Sequence, residues 1–219
     1  MNTRSDHVLT PLCELALKHH TDKGGWHTIA GETCHNYTPV YHALFGQRRH
    51  DVRRVLEVGV NCGCSLRMWE EYFPNAEIFG FDIRKECLFQ ENRIRCFQAD
   101  QGIPDSLNAA VAKTGGGPFD LIIDDGSHFR HHQVITAKTL VPYLSETGSH
   151  ITEDLAGPDA AEITCRPDLL AAEIGIPDGY GWRGLHAGDG IGRACCKAHC
   201  PHCKGKGGEY LLEVFRKMA

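Results

Sequence analysis

Short apolar runs, separated by polar turns that carry glycine, dominate the middle of the chain, and several of them end on an acidic residue. Runs of this length, rich in Val, Ile and Phe, read as buried strands, and the stretches of helical spacing between them read as crossover helices. The pattern predicts strands over 54–60, 76–81, 94–99, 119–123 and 149–152. Helices are predicted between them over 65–73, 106–113 and about 131–143. This alternation argues for an α/β fold with a mainly parallel, doubly wound sheet. Ahead of it, Pro11 with Leu12, Leu15 and Ala16 predicts a short helix over 10–20, and Thr38-Pro39 starts another that runs to about 45. After Asp154 the pattern weakens. Pro, Gly and Cys are scattered until 209–215, which has the composition of a closing strand, and 175–208 shows no clear element.

A chain of 219 residues can bury one substantial core. Its formal net charge of -5, with no Lys/Arg-rich block, gives no electrostatic footprint for a nucleic-acid backbone, so a small-molecule partner is expected. No run approaches the roughly 20 apolar residues of a membrane span, and Met1 to His7 hold no apolar signal core. The expectation is a cytoplasmic protein without a membrane partner, with the oligomeric state, homo-oligomer included, left open. Most of the eleven cysteines read as free thiols.

The strand ends carry the candidate chemistry. In a parallel sheet the carboxyl ends of the strands border the ligand crevice. Asp125 follows one apolar run, and Glu153-Asp154 follow another. These three carboxylates could jointly hold one Mg²⁺, a hard cation that takes oxygen ligands, with His128 as a base three residues beyond Asp125. Helix capping or solvated ion pairs would account for the same acidic residues. Glu57, Gly59, Asn61, Gly63 and Ser65 surround a tight turn after the first strand, but the dinucleotide glycine pattern is missing, which disfavours nicotinamide or flavin. Asp82 ends the second strand, where a carboxylate can take both ribose hydroxyls. Asp100-Gln101 end the third, where an adenine edge can be read, and Asp124 lies beside Asp125. Glycine turn, ribose acid and adenine contact thus come in the order suited to S-adenosylmethionine.

With those residues in hand, the chain resembles class I S-adenosylmethionine-dependent methyltransferases. More narrowly, it is similar to the metal-dependent group that includes mycinamicin-type macrolide-sugar O-methyltransferases and cephalosporin hydroxylase-like proteins. The words that carry the likeness are Thr21-Asp22-Lys23, His35-Asn36-Tyr37, Val55 to Val60, Phe73-Pro74-Asn75-Ala76, Gly80-Phe81-Asp82-Ile83, Asp100-Gln101, Ile123 to His128 and Glu153-Asp154. The resemblance implies a Rossmann-like fold and Mg²⁺ on Asp125, Glu153 and Asp154, with His128 as general base. It places Lys23 and Tyr37 near the methionine end of the cofactor or in its cover. The activity implied is O-methylation of a hydroxylated small molecule, such as a natural-product sugar or vicinal diol. On this reading 1–50 form a helical cap and cofactor-covering loop, and 51–219 form the catalytic core of one compact domain.

Relatives in that group finish with a helix and two strands after the acidic pair, and the sequence from 155 onward does not map onto that pattern. A Cys/His-rich insertion near 193–208 offers Cys195, Cys196, Cys200 and Cys203 as a structural Zn²⁺ site, with reduced thiols or a local disulfide as the ordinary alternative. Trp182, His186 and Asp189 are candidates for the acceptor end of the site. Trp26 and Trp69 read as packing residues, His131 and His132 as solvated, and Cys62 and Cys64 as small residues in a close turn and not a redox pair. Two other functions stay open at this point. One is a non-catalytic S-adenosylmethionine-binding protein with a zinc-stabilised interaction loop, and the other is a hydroxylase component.

Overall fold

Neighbouring residues of the central strands point to opposite faces, and both faces are covered, which is why the strands read as continuous apolar runs. The computed structural model describes residues 9–24, 35–155, 166–187 and 210–217, with only the backbone of His186 and Tyr210. The strands are β1 (Arg54–Val58), β2 (Glu77–Asp82), β3 (Gln90–Glu91), β4 (Ile94–Gln98), β5 (Phe119–Asp124), β6 (Leu144–Thr152), β7 (Tyr180–His186) and β8 (Tyr210–Arg216). They form one sheet in the order β3-β4-β2-β1-β5-β6-β8-β7. The run β4-β2-β1-β5-β6 is parallel, and β3, β8 and β7 are antiparallel additions.

Helices α1 (Pro11–His19), α2 (Thr38–Phe45) and α3 (Cys64–Tyr72) supply one apolar layer, in which Leu12, Tyr41, Phe45 and Trp69 pack with Val55, Leu121 and Ile123 of the sheet. Helices α4 (Pro104–Lys113), α5 (Arg130–Leu140) and α6 (Pro167–Ile174) supply the other, in which Leu107, Leu140 and Leu170 pack with Leu56, Ile122 and Leu212. Four of these helices carry a proline in their first turn, Pro11, Pro39, Pro104 and Pro167, of which the sequence pattern marks the first two, and α1 is capped by Thr10, whose Oγ1 accepts from Cys13 N at 3.3 Å. The chain winds outward from β1 through β2 to β4 and then resumes at β5 on the other side of β1. The reversal opens a crevice at the carboxyl ends of β1 and β5, where Gly59 and Asp125 stand.

The segment after the acidic pair differs from the sequence reading. A helix and two strands do follow, as α6, β7 and β8. β7 escaped the pattern because it contains Gly181 and Gly184, residues that usually mark turns. Here a Cβ would meet the Phe215 ring at 2.8 Å and Pro167 at 2.5 Å, so these glycines serve close packing inside a strand. The Cys/His-rich stretch falls between β7 and β8, and Cys195, Cys196, Cys200 and Cys203 lie outside the described residues, as do Trp26 and Asp189. Trp182 is exposed on the edge strand β7. Among the described residues, no helix is long and apolar enough to cross a membrane.

One buried group makes the fold sensitive to acid. His150 on β6 is fully buried between Ile122 and Val214, and neither ring nitrogen has a hydrogen-bond partner among the described residues. Burial outweighs a weak contact with its own backbone and holds its pKa down at about 4. The unfolded chain protonates this ring near pH 6.5 and the folded chain does not. The stability it contributes is therefore whole above about pH 6.5, falls away between 6.5 and 4, and reaches a loss of about 3 kcal/mol. Urea melts of His150→Leu at pH 7 and pH 4.5 should show a smaller acid-induced loss than the parent; equal losses would show that other groups govern acid unfolding.

Candidate active site

A pocket of about 910 Å³ opens at the carboxyl ends of the central strands. Its floor exists because Gly59 lacks a side chain. With φ of +101°, Gly59 brings the end of β1 so close to the loop after β5 that a Cβ would lie 2.0 Å from the Asp125 carbonyl oxygen. Gly59 N donates to Phe81 O at 2.8 Å and Asp125 N to Val58 O at 2.9 Å, which locks the three strand ends together. Asp82 Oδ2 accepts from Val60 N at 3.0 Å and Asn61 N at 3.1 Å, and its Oδ1 accepts from Arg84 N at 2.9 Å. The Asp82 carboxylate is thereby fixed against the glycine turn. Gln101 Nε2 donates to Asp124 Oδ1 at 2.5 Å, and Gln101 Oε1 accepts from Ser127 N at 2.8 Å, tying the segment after β4 to the Asp125 loop. Burial pushes Asp124 up to about 7.

Acidic groups gather on the other wall. Lys23 Nζ lies 2.5 Å from Asp125 Oδ2, 2.5 Å from Glu153 Oε2 and 3.2 Å from Glu57 Oε1, all but inaccessible to solvent. Burial pulls the Lys23 pKa down, and the three carboxylates more than reverse this, holding the ammonium well above its ordinary range. Burial likewise pushes Glu57 and Glu153 upward despite Lys23. Tyr41 Oη donates to Glu153 Oε1 at 2.5 Å and Tyr37 Oη to Asp154 Oδ1 at 3.1 Å. Gln133 Nε2 donates to the backbone carbonyls of Glu153 at 3.1 Å and Asp154 at 3.0 Å, fixing the acidic pair from behind. His128, in the left-handed region with φ of 58°, stands over the opening with 44% of its side chain exposed. Its Nε2 is 4.0 Å from Asp125 Oδ1 and its Nδ1 is 3.8 Å from Asp154 Oδ2. Among the described residues, one ligand atom each of Asp125, His128 and Asp154 fall within 4.8 Å of one another, close enough to share a cation.

The sequence-predicted residues divide by depth. Lys23, Gly59, Asn61, Ser65, Asp82, Asp100, Gln101, Asp125, His128, Glu153 and Asp154 line the pocket. Glu57, Tyr37, Gly63 and Asp124 sit behind that lining: Glu57 is held by Lys23 and by Trp69 Nε1 at 2.8 Å, and Tyr37 by Asp154. Sequence reasoning missed Tyr41, Gln133 and the Trp69 contact with Glu57. One signal was available, because Tyr37 and Tyr41 stand four residues apart on α2 and its entry, a spacing that turns both phenols to one side. His132, read as solvated, also lines the pocket and contacts Ser127 Oγ at 2.7 Å.

No protein-family profile matches the chain. Among curated proteins, it is 38% identical over 152 residues to 8-demethyl-8-(2-methoxy-alpha-L-rhamnosyl)-tetracenomycin-C 3'-O-methyltransferase of Streptomyces olivaceus, a match covering 66% of this chain and 36% of that protein. It is 36% identical over 151 residues to mycinamicin VI 2''-O-methyltransferase of Micromonospora griseorubida, again over 66% and 36%. Among solved structures, MycE methyltransferase from the mycinamycin biosynthetic pathway, in complex with Mg, SAH and mycinamycin VI, superposes with a TM-score of 0.63 at 27% identity, over 94% of this chain and 55% of MycE. Over about two thirds of its length the chain is thus similar to natural-product sugar O-methyltransferases. Its fold is the α/β class I methyltransferase fold that MycE also has. The chain spans a little over a third of the length of the curated family members it matches.

Proposed function

We propose that the chain is an S-adenosylmethionine- and Mg²⁺-dependent O-methyltransferase acting on a hydroxyl of a glycosylated natural product. The observation that carries this reading is the meeting, in one pocket, of the Gly59 turn and Asp82 with Asp125, Glu153, Asp154 and His128. The donor chemistry fits the cation: hard carboxylate oxygens converge there, and the acids Glu57, Asp125 and Glu153 outnumber the ammonium of Lys23 that touches all three. The fit for the adenosyl ligand rests on the cradle at Gly59, which any side chain would fill.

When bound, S-adenosylmethionine supplies a methyl group already activated by its sulfonium, and Mg²⁺ makes a hydroxyl more acidic. Asp125, Glu153 and Asp154 would hold the cation, with Glu153 turning from Lys23 and Tyr41 toward it. His128, exposed above them, takes the acceptor's proton on a ring nitrogen. Asp82 and Gln101 orient the adenosyl end, and Gln133 keeps the acidic pair in register with the Gly59 turn. What these residues supply is alignment, which in favourable cases is worth up to about 7–11 kcal/mol.

Calorimetric titration of EDTA-treated protein with S-adenosylmethionine, S-adenosylhomocysteine and NAD⁺, with and without Mg²⁺, tests the reading. Both adenosyl ligands should bind and NAD⁺ should not; no adenosyl binding in either condition overturns it, and NAD⁺ binding favours a hydroxylase component. In parallel, His128→Ala should slow methyl transfer about 10²–10⁴-fold while Mg²⁺ still binds. If Mg²⁺ binding is lost instead, His128 is a ligand, as its 4.8 Å grouping with Asp125 and Asp154 allows.

A further inference from the structure

The glycine turn holds two thiols that the chemistry above does not use. Cys62 is exposed and Cys64 half-buried, both line the pocket, and their sulfurs are 2.8 Å apart. Gly63 between them, with φ of +74°, turns the two side chains to the same side of the loop, a geometry that few residues other than glycine adopt. Among the other described cysteines, Cys13 and Cys96 are buried away from solvent. The sequence treats Cys62 and Cys64 as small residues tolerated in a tight turn, but the sulfur contact gives them a chemistry of their own.

We infer that Cys62 and Cys64 form a reversible disulfide across the glycine turn, a modification site at the pocket mouth that lowers the pocket's affinity for its ligand. The oxidant is a low-molecular-weight disulfide, RSSR. The exposed Cys62 thiolate attacks one of its sulfurs and releases RS⁻, and Cys64, once deprotonated, attacks the Cys62 sulfur of the mixed disulfide and releases the second RS⁻. The protein gives up two electrons and two protons, and RSSR takes up both to become two RSH. The order of attack follows from exposure, and burial together with Cys62 also pushes the Cys64 thiol up to about 11, leaving Cys62 the more available nucleophile. Bond formation shortens the sulfur separation from 2.8 Å to about 2.0 Å and fixes both side-chain torsions. That shift falls on a turn whose Val60 and Asn61 amides hold Asp82 and whose Cys62 carbonyl accepts from Arg67 at 3.1 Å.

The loss of affinity rests on reading the pocket as an adenosyl site, whereas the disulfide itself does not. Trypsin releases 55–67 as one peptide that contains Cys62 and Cys64 and no other cysteine. After incubation of the reduced full chain with glutathione disulfide, that peptide should be lighter by two hydrogens and resist alkylation until dithiothreitol is added. S-Adenosylhomocysteine affinity should fall about tenfold on oxidation and recover on reduction. In Cys62→Ser/Cys64→Ser the ratio of oxidised to reduced affinity should be one. Alkylation of both thiols after oxidation, pairing of Cys62 with another cysteine, or an affinity indifferent to a proven disulfide would each overturn the proposal. A proven disulfide after oxidation, together with a reduced protein that binds no S-adenosylhomocysteine, would uphold the thiol pair and overturn the reading of the pocket.

Discussion

Lys23→Met should destabilise the protein by about 3–5 kcal/mol, because it removes the ammonium that compensates two buried carboxylates, Glu57 and Glu153, and the partly exposed Asp125. Lys23 Nζ is within 3.2 Å of oxygens from Glu57, Asp125 and Glu153, and methionine fills much of the same space without charge. Glu57 and Glu153, both buried, would then face each other and the pocket-lining Asp125 without a compensating charge. In a chain of this size each kcal/mol moves the melting temperature by about 2–4 °C, so a metal-free thermal melt should fall by roughly 6–20 °C. Two further outcomes separate a charge effect from lost packing. Adding Glu153→Gln to Lys23→Met removes one of the stranded charges and should recover part of the loss. Millimolar Mg²⁺ should stabilise Lys23→Met more than the parent, since the cation replaces the missing charge. A loss under about 1 kcal/mol, or a double variant no more stable than the single, would show that the carboxylates are held neutral and do not depend on Lys23.

What the sequence revealed follows from how local each cause is. β1, β2 and β5 were legible because strands covered on both faces must be apolar at every position, and Val55-Leu56, Ile78-Phe79 and Leu121-Ile122-Ile123 have no other use. The acidic residues that end these runs were legible because a carboxylate that breaks an apolar run marks a strand end, although Asp82 and Asp124 are themselves buried beside the pocket. β6 was read as starting at 149 while it starts at Leu144, because Glu146 and Thr147 are exposed at the far end of the sheet and resemble a turn. The distribution of Lys23's partners had no local trace. Asp125 and Glu153 lie 102 and 130 residues away in the chain, and only folding reveals that a lysine in a polar loop is fully buried among acids. Tyr41 and Trp69 look like core aromatics in sequence and are core aromatics in the fold. Their single polar atoms, turned to Glu153 and Glu57, give them a second role.

Gly59→Ala should cost the pocket at least about 100-fold in S-adenosylhomocysteine affinity, or about 2.7 kcal/mol, and weaken Mg²⁺ binding with it. Two effects combine at this position. A φ of +101° is a conformation that L side chains rarely adopt, worth about 1–3 kcal/mol of strain. The new Cβ would also stand 2.0 Å from the Asp125 carbonyl oxygen and 2.7 Å from its carbonyl carbon, and backbone cannot rotate aside as a side chain can. The junction must open, and it carries the Asp125 N to Val58 O bond together with a carboxylate of the proposed cation site. Gly115 and Gly116 provide the control. Their φ values of +86° and +87° are as unfavourable for alanine, yet nothing lies within 4 Å of either Cβ position. Gly115→Ala should therefore destabilise the fold by about 1–3 kcal/mol and leave ligand affinity as it was. If Gly59→Ala and Gly115→Ala lose stability alike and both bind S-adenosylhomocysteine normally, the close approach at Gly59 serves the sheet and not the ligand.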